Sequence, residues 1–91
     1  MEITINNHTY EVIKNEKDAI DIEVLQEKIT DYYDGYDYIF GDWAYGKVRL
    51  KGFNEKGNKN FKPVNDYKNI DKYIKDYCAY GCRHFILKKK N

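Results

Sequence analysis

Tyr36-Asp37-Tyr38-Ile39-Phe40-Gly41-Asp42-Trp43-Ala44-Tyr45-Gly46-Lys47-Val48-Arg49-Leu50-Lys51 is the stretch that decides the fold, because side chains here alternate with period two. Tyr36, Tyr38 and Phe40 share one face of a strand, Asp37 and Ile39 the other, and Gly41-Asp42 marks its expected end. Lys47 to Lys51 alternates again: Val48 and Leu50 aim at a core, while Lys47, Arg49 and Lys51 make an exposed row of three cations. Trp43 to Gly46 connects the two strands, which predicts an antiparallel hairpin with a longer loop.

Working outward, Glu2 to Ile5 and Thr9 to Ile13 are rich in Ile, Val, Thr and Tyr and flank Asn6-Asn7-His8, a second hairpin signal. Ile22, Leu25, Ile29 and Tyr32 recur with helical spacing after a cap at Asp18 or Asp21, and Gly35 stops that helix. Ile70, Tyr73, Ile74, Tyr77 and Cys78 form a second helical stripe, with Asn69 as N-cap and Gly81 as terminator. Between them, Asn54 to Asn69 carries no periodic signal and is long enough to be a functional or disordered loop. His84 to Lys88 supplies a last strand, and Lys88, Lys89 and Lys90 a basic tail. The order β-β-α-β-β-α-β predicts an α+β fold, a mainly antiparallel sheet covered by two helices in two layers, in one domain over residues 1–91. The expected core is Ile13, Leu25, Ile29, Ile39, Val48, Leu50, Ile74, Phe85 and Leu87.

The 91 residues are 42% hydrophobic and 34% charged, and no window approaches the ~20 apolar residues of a bilayer span. Only two cysteines occur and the first residues lack a leader pattern, so a reducing cytoplasm is the expected location. The net charge of +1 conceals a split. Residues 1–46 hold three lysines against eleven acids, a balance of −8, and residues 47–91 hold eleven lysines and two arginines against four acids, +9. If the halves fold onto opposite faces, the basic one can steer toward a polyanion; if they interleave, the charges cancel locally.

The blocks Tyr36-Asp37-Tyr38-Ile39, Gly41-Asp42-Trp43, Tyr45-Gly46, Arg49-Leu50-Lys51-Gly52-Phe53, Tyr77-Cys78, Gly81-Cys82 and Phe85 with Leu87-Lys88 give the chain a resemblance to the YutD-like family of small bacterial proteins. The likeness spans nearly the whole chain, and it implies a compact α+β domain in a bacterial cytoplasm with no activity attached.

The chemistry of single residues narrows the function further. There is no serine, no histidine near Asp37 or Asp42, and neither glycine-rich phosphate motif, so catalysis and a nucleotide cofactor are not expected. Cys78 and Cys82 would need two more ligands for a metal, with only His8 and His84 in the chain, so no metal site is expected. Their first role is packing, and their second a thiol switch. The leading expectation is a non-catalytic module for RNA or a ribonucleoprotein surface. In it Lys47, Arg49 and Lys51 track phosphates, Trp43 and Tyr45 stack, and Lys88, Lys89 and Lys90 assist. The alternative is a protein–protein adaptor anchored by the same aromatics, Trp43 above all.

Overall fold

Two asparagines start the sheet. Asn6 and Asn7 both take positive φ, 50° and 70°, the pair of left-handed residues that a two-residue hairpin turn requires. In the computed structural model, which describes residues 1–77 and 82–90, this turn folds β1 (Glu2–Ile5) against β2 (His8–Glu16). The Asn6 side chain then donates to the carbonyls of Gln26 and Ile29, at 2.8 and 3.0 Å. That contact ties the turn to the end of α1 (Ile22–Lys28).

α1 begins at Asp21, whose carboxylate accepts from the backbone N–H of Val24. It ends well before Gly35. Tyr32 falls in a separate 3-10 turn, Asp31–Tyr33, and is 70% exposed, so the helical stripe holds only at Leu25 and Ile29. Ile13 is also not core. The register of β2 slips between Val12 and Lys14, and this bulge turns Ile13 outward to 47% exposure.

β3 (Tyr38–Ala44) runs straight through Gly41-Asp42, so Trp43 lies in a strand and not in a loop. The hairpin to β4 (Lys47–Phe53) closes in two residues, Tyr45 at φ 55° and Gly46 at φ 76°, a tighter turn than the sequence suggested. Gly41 is required because a Cβ there would sit 2.2 Å from the Phe85 ring. The segment after β4 is ordered by asparagines. The fully buried Asn54 accepts from the Asp37 N–H at 2.8 Å and from Asn58 Nδ2 at 3.1 Å, while its own backbone bonds Asn65 and Tyr67. Replacing Asn54 by alanine leaves the Asp37 N–H without its acceptor and is expected to cost about 2 kcal/mol in a urea unfolding titration; a loss below a few tenths would deny the network a structural role. Two 3-10 turns, Pro63–Asn65 and Tyr67–Asn69, lead into α2 (Ile70–Tyr77). Asp66, accepting from the Lys68 N–H, caps the second of these 3-10 turns, which ends at Asn69; Gly81 and Cys78 lie outside the described residues.

β5 (His84–Lys89) enters last and takes the middle, giving the order β1-β2-β5-β3-β4 with every neighbour antiparallel. Alternate residues of β3 and β5 therefore feed two cores. Ile39, Phe85 and Leu87 join Leu25, Ile29, Ile5, Tyr10 and Ala19 on one face, with Val48 and Leu50 packed against them. Tyr38, Phe40 and Ile86 join Phe53 and Ile70 on the other, with Ile74 and Tyr73 alongside. The α+β class and the antiparallel sheet are as expected. The helices, however, cover opposite faces, so the molecule has three layers instead of two.

Candidate partner-binding site

The aromatic and basic residues singled out in the sequence are mostly engaged by the fold. Trp43 is half-buried: its indole N–H donates to the Ala19 carbonyl at 2.8 Å, and the Arg83 guanidinium lies 4.7 Å over its ring. It is an internal brace and not a displayed anchor. Tyr45 is the opposite, fully exposed at the tip of the β3–β4 turn.

The three cations of β4 do share a face, but they are not equivalent. Arg49 forms a two-pronged pair with the buried carboxylate of Asp42, at 2.9 and 2.5 Å, and this bonding raises its already high pKa. Lys51 lies over the rings of Phe53 and Tyr73, at 5.3 and 5.6 Å. Lys47 is exposed. The basic tail is a strand end: Lys88 and Lys89 belong to β5, Lys89 Nζ donates to the Asp34 carbonyl, and Lys90 pairs with Glu2 at 2.6 Å. Because β5 sits between β2 and β3, the acidic and basic halves of the chain interleave. Within the sheet, therefore, the −8/+9 split is interleaved strand by strand.

Cys82 packs beside the second core, its Sγ 3.6 Å from His84 Nδ1, which also contacts the Cys82 carbonyl at 3.0 Å. Cys82 is disulfide-bonded; the other cysteine of the expected switch, Cys78, lies outside the described residues.

What the fold builds instead is a cleft of about 760 Å³ along the outer edge of β4. Four segments separated in sequence line it. Leu50 to Gly52 form its floor, Tyr32, Tyr33 and Tyr36 come from the α1–β3 connection, and Lys59 to Asn65 with Tyr73 close the other side. Tyr32 meets Tyr33 edge to face at 4.9 Å, and Tyr36 packs flat against Gly52, where a Cβ would come within 2.3 Å of its ring. A hydrogen bond to Tyr32 and then burial raise the Tyr36 hydroxyl above its ordinary pKa; burial does the same for Tyr33 and Tyr73. Lys51, Lys59 and Lys62 border the cleft with no carboxylate among its lining residues. Of the residues expected at a site, only Lys51 is here. The tyrosine run and the loop lysines were visible in the sequence, but nothing local says that they converge.

The architecture defines a class of small α+β proteins in which two hairpins are joined by a central last strand. The family described as "Putative antitoxin YutD-like" matches residues 4–88, and the chain belongs to that family. A relative from Bacillus subtilis (strain 168), "Putative antitoxin YutD", is 39% identical over 87 residues, 96% of each chain. The solution NMR structure of protein yutD from B. subtilis matches with a TM-score of 0.78 at 37% identity, covering 100% of this chain and 83% of that one. The resemblance read from the motif blocks is thus confirmed. Among the described residues, no helix is long and apolar enough to cross a membrane.

Proposed function

We propose that the protein is a non-catalytic binding module whose partner is another protein, held at the cleft beside β4. The observation that carries this reading is the cleft itself: aromatic walls with Lys51, Lys59 and Lys62 on its border and no carboxylate suit an acidic protein surface. The family description and the Bacillus subtilis relative both carry the name "Putative antitoxin". An antitoxin acts by neutralising a toxin, so the partner would be a toxin protein. RNA is the weaker reading, since Arg49 and Lys90 are paired to carboxylates and Trp43 is internal.

Affinity purification of the tagged protein, with and without nuclease, tests this. A protein partner is expected to survive nuclease and to be lost from a Lys59→Glu/Lys62→Glu variant that keeps the circular dichroism of the parent. Capture that depends on RNA, or that the double variant retains, would overturn the assignment.

A further inference from the structure

β4 is an edge strand, and the pairing tells which of its backbone groups face outward. A two-residue turn makes Ala44 and Lys47 the first hydrogen-bonded pair, so the pattern alternates from there: Lys47, Arg49, Lys51 and Phe53 bond inward to β3, while Val48, Leu50 and Gly52 face away. Asn54 gives an independent check of this parity. Its N–H donates to Asn65 and its carbonyl accepts from Tyr67, both outward, in a one-rung parallel bridge with the chain's own loop. One step back along the strand, the bridge stops. Among the described residues no hydrogen bond engages the outward N–H or C=O of Val48, Leu50 or Gly52, and Leu50 to Gly52 are the floor of the cleft.

We infer that this open edge takes an extended, acidic segment of the partner protein as a sixth strand. The inference deepens the protein-partner reading and rests on it. Main-chain bonds to the Val48, Leu50 and Gly52 edge would set the register, in the manner of strand addition to an exposed sheet edge. Side chains of the incoming strand would point alternately to the two faces of the sheet. On one face they would meet Tyr36, which covers Gly52; on the other they would meet Lys51 and Tyr73, with Lys59 and Lys62 also bordering the cleft. The segment that fits alternates apolar or aromatic residues with glutamate or aspartate. A second copy of this chain fits poorly, because β4 presents Lys47, Arg49 and Lys51 and no acid, and edge-to-edge pairing would set cations against cations.

The test follows amide exchange of the whole protein by NMR while an acetylated eight-residue peptide alternating glutamate and valine is added. A lysine–valine peptide and an octauridine are run beside it. Exchange at Val48, Leu50 and Gly52 is expected to slow about tenfold or more with the glutamate peptide only, and affinity to fall about tenfold in Lys51→Glu. Leu50→Pro, which removes an outward N–H tolerable on an edge, is expected to abolish the protection; the exchange measurement on the parent protein stands even if that variant misfolds. Unchanged exchange with all three ligands, or protection by octauridine instead, overturns the inference. A nuclease-resistant protein partner still captured by Leu50→Pro and Lys51→Glu would overturn strand addition while leaving the partner reading intact. Absence of any such partner would overturn both.

Discussion

Gly41→Ala is expected to destabilise the protein by about 3 kcal/mol, a large share of the stability of a domain this size. Gly41 sits in β3 with strands on both sides, directly opposite Phe85 of β5. The added methyl would stand 2.2, 2.5 and 2.8 Å from three atoms of the Phe85 ring. That ring is fully buried among Ile5, Tyr10, Leu25, Ile29, Ile39 and Leu87, so it has nowhere to swing, and interiors packed at crystal density do not yield cheaply. The clash is specific, and so is its relief. In a Phe85→Leu background, already weakened by the lost ring, adding Gly41→Ala should cost at least about 1 kcal/mol less than it does alone. Urea unfolding of the parent, both single variants and the double variant measures the coupling. Additive losses, or a Gly41→Ala cost below about 0.5 kcal/mol, would mean that the ring and the glycine do not depend on each other.

The second large effect concerns alkaline pH. Tyr38 stacks on Tyr67 with centroids 3.6 Å apart and donates its hydroxyl to Glu55 at 3.2 Å. Burial first, then the Glu55 charge, push its pKa up to about 12. Burial likewise raises Tyr10, Tyr33, Tyr67 and Tyr73, and a bond to Tyr32 raises Tyr36. In each case the folded state favours the neutral phenol, so the unfolded chain gives up its proton first, near the ordinary value of about 10. The stability from these groups is therefore complete below pH 10. It is lost as pH rises from there, through about 12 in the case of Tyr38. The urea midpoint should hold steady as pH approaches 10 and then fall steeply, with tyrosinate absorbance rising as the fold is lost. Tyr38→Phe should flatten part of that fall while giving up the Glu55 bond at neutral pH. A midpoint that declines no faster above pH 10 than below it would contradict the assignment.

Much of the fold was legible from local pattern. Asn6-Asn7 announced a turn that only left-handed residues can make, and Ile70, Tyr73 and Ile74 announced α2. Gly41-Asp42 misled because glycine and aspartate usually punctuate a chain. Here the glycine makes room for a ring 44 residues away, and the aspartate is buried against Arg49. Neither reason is written near the residue it explains. Ile13 misled for a similar cause, a register slip decided by pairing with β5. The candidate site was the least legible part. Its floor, its tyrosines and its lysines come from four segments, and the cations with the clearest local signal, Arg49 and the Lys88 to Lys90 run, turned out to be largely engaged within the fold.

The central place of β5 has a bearing on how the protein is made. A ribosome delivers the β1–β2 and β3–β4 hairpins first, and within the sheet neither touches the other until β5 slides between them. Until β5 emerges, the nascent chain therefore carries two half-sheets, each with an unpaired inner edge. Joining them is a pairing of long sequence separation, and any stall or cleavage ahead of His84 leaves one chain with two unjoined, sticky-edged hairpins instead of a smaller version of the same protein.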